Sequence, residues 1–405
     1  MAAFRTILAV SAVLLAAAEA NLRAPANTKV PTEAWLTTPE LIEFWGYPGE
    51  THTVVTEDGY VVDVHRILGR RGQVDKPRRR KTPVLIAHGY GASSECMVLR
   101  DNNTLAFMLA NEDFDVWLGN TRGNFYGRRH SHLSSADQRF WDFSWHENGV
   151  FDMRATIDYM LATTGEASVA VLGHSMGATS LFALLAEMPE YNAKVRAAFL
   201  LGPAVYFHSV RGTFNEVRKR APWSERTLSL IRLENFMTRA PYPRLCFSNL
   251  GGGMTINPNC IRVFTDAQGP FFNTNHNTYL PILLRHWPAG TSVGQLAHFM
   301  QLIVKGDGFK KFDHGPERNR VLYGTASPPP YNLTNVRSPC FFYYCDNDYQ
   351  ANPKDVRRLA ADVPGTAGLF RTPARAFNHL DIMYEEAAGE LVYKRLLRDI
   401  AKYRN

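Results

Sequence analysis

The sequence predicts an α/β fold organised on a doubly wound, mostly parallel sheet. Short continuous apolar runs alternate with segments of helical spacing, and a Gly-x-Ser-x-Gly motif stands where one such run meets one such helix. The alternation breaks off near Tyr206 and resumes at Pro339, so the sheet is interrupted by a long insertion.

The elements follow in order. Thr53–Thr56 and Tyr60–His65 are β-rich runs split by Glu57-Asp58-Gly59, a hairpin turn signal. Pro83–Ala87 is a continuous apolar run ending at His88-Gly89, the pattern of a strand buried on both faces. Leu105–Ala110 reads as a helix and Asp115–Gly119 as the next strand. From Val150, apolar residues recur at Met153, Ile157, Met160 and Leu161, which is helical spacing. Ser168–Leu172 is then a strand, Met176–Met188 a helix and Ala197–Leu201 a strand. After an aromatic, irregular stretch, Pro339–Tyr344 reads as a strand, and a helix is expected from about Asp381 to Tyr403. The intervening stretch of roughly 120 residues is too long for an ordinary loop.

Composition narrows the class. With 45% hydrophobic and 20% charged residues, the chain is neither a disordered polymer nor a collagen-like repeat, and 405 residues can bury a sizeable core. The net charge of +7 is mild for this length and reads as a solvated basic face, with one cluster at Lys76–Lys81. No nucleic-acid partner is expected.

The N-terminus reads as an export signal over residues 1–20. Arg5 precedes an apolar run from Ile7 to Ala18, and Ala18-Glu19-Ala20 supplies small residues at the cleavage positions. That run is too short for a permanent anchor across about 30 Å of hydrocarbon, and no stable transmembrane anchor is expected elsewhere. Asn102-Asn103-Thr104 and Asn332-Leu333-Thr334 are acceptor triplets for N-glycosylation, consistent with export. An oxidising compartment permits disulfides, and Cys246 with Cys260, which bracket Gly251-Gly252-Gly253, are the expected pair. Cys340 and Cys345 lie in an apolar run and read as buried thiols; Cys96 is open between the two states.

The chemistry centres on Gly173-His174-Ser175-Met176-Gly177, a nucleophile elbow between strand and helix. A serine hydroxyl needs a base to take its proton. In this fold the partners follow in the order serine, acid, histidine. Six of the thirteen histidines follow Ser175, and five of those six fall in the insertion, which leaves His379. The acid that would hold the imidazole stands after the Pro339–Tyr344 strand, where Asp346 and Asp348 both qualify by position. The developing oxyanion needs backbone donors, for which the N–H groups of Met176 and Tyr90 are positioned. His88 reads as a brace for the Tyr90 loop. No metal or cofactor is implied.

With these residues in place, the chain resembles the acid lipase family, the gastric and lysosomal lipases. The likeness spans about Thr38 to Lys402. It rests on Glu43–Pro48, Val55–Tyr60, Asp115–Gly123, Phe140–Ser144, Ala155–Tyr159, Pro288–Ser292 and Asn378–Asp381. The resemblance implies an α/β-hydrolase fold with a mostly helical cap. The division is then a signal (1–20), a first core part (21–205, with an N-terminal lipase segment at about 36–100), a cap or lid (206–331) and a second core part (332–405). It implies hydrolysis of neutral lipid esters, triacylglycerol or sterol esters, at a lipid–water interface by a secreted or lysosomal serine enzyme. It prefers Asp348 as the acid, seven residues before Asp355-Val356, and agrees with a Cys246–Cys260 disulfide in the cap. Two departures touch the site: Met176 stands where the family commonly has glutamine, and Tyr90-Gly91 where it has two leucines. Both expected oxyanion donors are backbone groups, so these changes bear on substrate preference. A short-chain carboxylesterase on the same fold and a non-catalytic lipid-binding homologue are the alternatives.

Overall fold

A computed structural model of the chain describes residues 31–73, 80–101, 103–220, 247–248, 255–256, 258–272 and 280–404. The export signal, Asn102, most of the basic cluster and the Cys246–Cys260 pairing lie outside these residues.

Among the described residues, nine strands form one sheet. In chain order they are β1 (Gly49–Val55), β2 (Tyr60–Ile67), β3 (Pro83–Ala87), β4 (Asp115–Leu118), β5 (Arg129–His130), β6 (Val169–His174) and β7 (Val195–Leu201). A separate two-stranded pair follows, β8 (Phe247–Ser248) with β9 (Thr255–Ile256), and then β10 (Cys340–Tyr344) and β11 (Thr366–Arg371) close the main sheet. Its spatial order is β1-β2-β4-β3-β6-β7-β10-β11, with β5 beside β2. From β4 to β11 every neighbouring pair is parallel, while β1 and β2 enter antiparallel.

The central strands are apolar at almost every position because each feeds two cores. Side chains alternate across the sheet with period two. Leu85, Val171, Leu200 and Phe342 face one core, shared with Leu181 and Phe182. Val84, Leu172, Phe199 and Phe341 face the other, shared with Phe107, Ile382 and Leu396.

The helices that cover the sheet are α1 (Thr38–Phe44), α2 (Leu105–Asn111), α3 (Arg154–Thr164) and α4 (Met176–Glu187). Between β7 and β10 lie α5 (Gly212–Arg220), α6 (Pro258–Gln268), α7 (Leu280–His286), α8 (Val293–Lys305) and α9 (Pro316–Tyr323). The second core part adds α10 (Pro353–Asp362), α11 (Asp381–Tyr384) and α12 (Lys394–Ile400). Local signals start and stop them. Thr37 and Glu40 form a reciprocal cap on α1, with Pro39 in its first turn. Ser292 caps α8, which Gly306 ends in the left-handed conformation. The α4 segment is buried from Met176 to Ala186, so it is the central helix of its layer.

One expectation is corrected, and one strand has no signature in the sequence. The helix expected from Asp381 to Tyr403 is broken at Glu385, whose backbone is extended (ψ 139°). The carbonyl of Tyr384, which a continuing helix would need, accepts instead from the Arg100 guanidinium. The edge strand β11 carries no continuous apolar run: its residues alternate between exposed and half-buried, which hid it in the sequence.

Four buried histidines contribute to the response of the fold to acid. Burial holds His65 and His88 down to about 4, and His174 and His298 down to about 3. Each is neutral in the folded chain and takes up a proton on unfolding once the pH falls below about 6.5, so stability is lost as pH falls. The melting temperature is expected to drop between pH 6.5 and 5.5, each histidine contributing up to about 1.4 kcal/mol per pH unit. A scanning-fluorimetry profile that stays flat over that interval would contradict this.

Candidate active site

The motif at Gly173–Gly177 forms the turn from β6 into α4, and its geometry explains its glycines. A β-carbon on Gly177 would lie 2.4 Å from the carbonyl oxygen of Ala87 in β3, and one on Gly173 would lie 2.8 Å from the amide nitrogen of Ala178. Helix and strands approach so closely that only hydrogen fits there. Between them Ser175 adopts φ 52° and ψ −116°, a strained conformation for a residue with a side chain, secured by its N–H donating to the Leu201 carbonyl at 3.1 Å.

The structure brings Ser175, His379 and Asp348 together from the C-terminal ends of β6, β11 and β10. His379 Nδ1 lies 2.7 Å from Asp348 Oδ2, and His379 Nε2 lies 2.7 Å from Ser175 Oγ. A carboxylate can only accept, so Nδ1 carries the proton and Nε2 is left to accept from the serine hydroxyl. Asp348 is fully buried; its other oxygen accepts from the N–H groups of Gln350 and Ala351 at 2.9 and 2.8 Å. Those bonds hold the carboxylate in place.

Asp346, the positional alternative, is placed elsewhere: its carboxylate pairs with Arg371 Nε at 2.8 Å near the surface. Position along the chain could not separate the two aspartates, which stand two residues apart in one loop; only the family resemblance preferred Asp348.

The loop after β3 passes beside Ser175. His88 is buried, and Asn124 Nδ2 donates to its Nε2 at 3.2 Å, which assigns its proton to Nδ1. That Nδ1 donates to the Gly89 carbonyl at 2.8 Å. The Gly89 carbonyl and the Tyr90 N–H belong to one planar peptide, so His88 orients the N–H of Tyr90. Met176 opens α4, where its N–H has no partner within the helix and points along the positive end of the dipole.

Two residues bear on the site that the sequence reading did not single out. His174 is buried and neutral, and its Nε2 donates to the His379 carbonyl at 3.1 Å. The Gln268 carbonyl, at the end of α6, accepts from His379 N at 3.2 Å. His174 stands beside Ser175 in the motif, so adjacency could have suggested it; nothing in the sequence marks Gln268.

Ser175 and His379 open onto a largely apolar cavity of about 190 Å³. Phe207, Phe264, Leu283, Trp287, Phe299 and Ile303 contribute to its wall. All six come from the segment between β7 and β10. Cys340 and Cys345 are buried free thiols, as their apolar run suggested, and burial pushes Cys340 up to about 12; Cys96 is buried. Asn332 is exposed, its side chain capping the turn Leu333–Asn335.

Sheet order, elbow and cavity define an α/β-hydrolase. Comparison with known proteins agrees. Residues 38–101 match a model described as a partial α/β-hydrolase lipase region, and residues 82–240 match the α/β-hydrolase fold. The chain is 34% identical to Lipase 1 of Drosophila melanogaster over 92% of this chain and 81% of that protein. It is 31% identical to human gastric triacylglycerol lipase over 91% of this chain and 92% of that protein. A solved bacterial membrane phospholipase A shares the fold, with a TM-score of 0.50 at 12% identity, covering 99% of this chain and 95% of that one. The chain belongs to the acid lipase family and is a carboxylic ester hydrolase.

The two aspartates give a direct test of the geometry. Asp348→Asn is expected to lower ester turnover by about 10²- to 10⁴-fold, whereas Asp346→Asn stays within about twofold of the parent because surface ion pairs contribute little. Steady-state rates on a soluble ester check both, and the reverse ranking would reassign the acid.

Proposed function

We propose that this protein is a serine lipase that cleaves neutral lipid esters, triacylglycerol or sterol esters, through an acyl-enzyme. The observation that carries the reading is the continuous chain of hydrogen bonds from Asp348 through His379 to Ser175, opening onto an apolar cavity.

In the first half-reaction the Ser175 oxygen attacks the ester carbonyl while His379 Nε2 takes its proton. Asp348 keeps the imidazole in the required tautomer and stabilises the imidazolium. The negative oxygen of the tetrahedral intermediate is held by the N–H groups of Tyr90 and Met176. His379 then protonates the leaving alcohol, and in the second half-reaction it takes a proton from water, which attacks the acyl-enzyme, and returns that proton to the Ser175 oxygen as the fatty acid leaves. The aromatic and aliphatic wall excludes water from the acyl chain and favours apolar substrates.

In this reading residues 206–331 form a cap over the site, with 21–205 and 332–405 as the two core parts. The enzyme works at a lipid–water interface outside the cytosol, in a secretory or lysosomal compartment. Its export-type N-terminus and the exposed Asn332 that opens the Asn332-Leu333-Thr334 triplet support this. No helix among the described residues is long and apolar enough to cross a membrane.

Ser175→Ala is expected to abolish hydrolysis while keeping the melting temperature of the parent, and turnover that survives the change would refute the nucleophile. Across glycerol esters of increasing acyl length, activity should extend to long chains such as trioleoylglycerol. Activity confined to C2–C4 esters in solution would instead assign a short-chain carboxylesterase, and none on any ester a lipid-binding protein.

A further inference from the structure

The loop that carries the Tyr90 N–H is held from two sides. On the core side, His88 and Ala92 N donate to the Gly89 carbonyl at 2.8 and 3.2 Å. On the opposite side, Trp287 Nε1 donates to the Tyr90 carbonyl at 2.9 Å, and Ala289 N donates to the Gly91 carbonyl at 2.7 Å. Three successive peptide planes are thus pinned, the last two by residues nearly two hundred positions downstream in the segment that follows α7.

Trp287 is itself firmly placed. Its neighbour His286 is fully buried, with Nδ1 3.0 Å from Glu95 Oε2 and Nε2 2.9 Å from the Glu33 carbonyl. The Trp287 ring packs edge-on against Phe264 at 5.2 Å and forms part of the cavity wall. The Tyr90 ring meets the same segment, edge-on to Phe299 of α8 at 6.0 Å.

A backbone donor serves an oxyanion only while its peptide keeps one orientation. A rotation at Tyr90 would swing the N–H away and could bring a carbonyl toward the developing negative charge. Gly91, with φ 66°, is the point where this loop would otherwise be free to turn.

We propose that Trp287 is a positioning residue for ester hydrolysis. Its indole N–H, together with the Ala289 N–H, locks the Tyr90–Gly91 loop so that the Tyr90 N–H stays aimed at the oxyanion. The segment between β7 and β10 therefore completes the catalytic geometry as well as the wall. This rests on the oxyanion role given to Tyr90 above.

The test is Trp287→Phe, which keeps an aromatic ring and removes the donor. On a soluble ester such as p-nitrophenyl butyrate, kcat should fall about 10- to 100-fold, below the loss on deleting a direct oxyanion donor, with KM within about threefold. Affinity for an alkyl trifluoromethyl ketone, whose adduct with the serine places an oxyanion at the same point, should weaken in parallel. Ile303→Val trims the same wall away from the Trp287 ring and its hydrogen bond, and should act on KM and leave ketone affinity proportionate to it. If Trp287→Phe does not fold, Ala289→Pro removes the second donor and gives the same readout. Unchanged kcat and ketone affinity in a folded variant, or a loss wholly in KM, would overturn the proposal. A parent enzyme that the ketone fails to inhibit would overturn the oxyanion reading beneath it, a distinct result.

Discussion

The structure depends on one close approach, that of α4 to the ends of β3 and β6. Gly177 lies so near the Ala87 carbonyl that no β-carbon fits, and Gly173 is as tightly confined against Ala178. This contact forces the backbone at Ser175 to a positive φ and turns the hydroxyl out at the strand ends. The strain is sustained because α4 is buried along nearly its whole length between apolar layers, so relaxing the turn would move a packed helix.

From that point the parallel sheet does the placing. β3, β6 and β10 run side by side in the same sense or with one strand between, and their following loops converge above one edge. His379 arrives from beyond β11, and its own backbone is tied on both sides: its carbonyl accepts from His174 and its N–H donates to Gln268. Asn378 braces the same loop, accepting from the N–H groups of Leu380 and Asp381 and donating to the Gly269 carbonyl.

These contacts give the inserted segment a second task. The end of α6 holds the histidine loop through Gln268 and Gly269, and Asn347 of the acid loop donates to the Pro270 carbonyl at 2.8 Å. The residues after α7 hold the loop after β3. A segment that only roofed the cavity could slide without consequence. One that hydrogen-bonds three site loops fixes their relative positions, and its displacement would loosen all three.

Much of this was legible in the sequence. Continuous apolar runs locate β3, β6, β7 and β10, and the Gly-x-Ser-x-Gly motif marks Ser175, because strand burial and the tight turn each demand particular residues at consecutive positions. Chain order isolates His379. What escaped was whatever depends on partners distant in the chain. β11 is an exposed edge with no apolar signature, Glu385 breaks its helix because Arg100 captures a carbonyl, and Trp287 reaches Tyr90 across nearly two hundred residues. Asp346 and Asp348 are alike in local sequence, and only folding sends one to Arg371 and the other to His379. The sequence by itself determined the central strands, the elbow and the types of residue at the site, since these follow from local sterics and periodic burial. Position left the two aspartates open, with Asp348 preferred only through the family resemblance, and the tertiary structure alone decided which insertion residues hold the loops, since those hydrogen bonds exist only between segments that packing brings together.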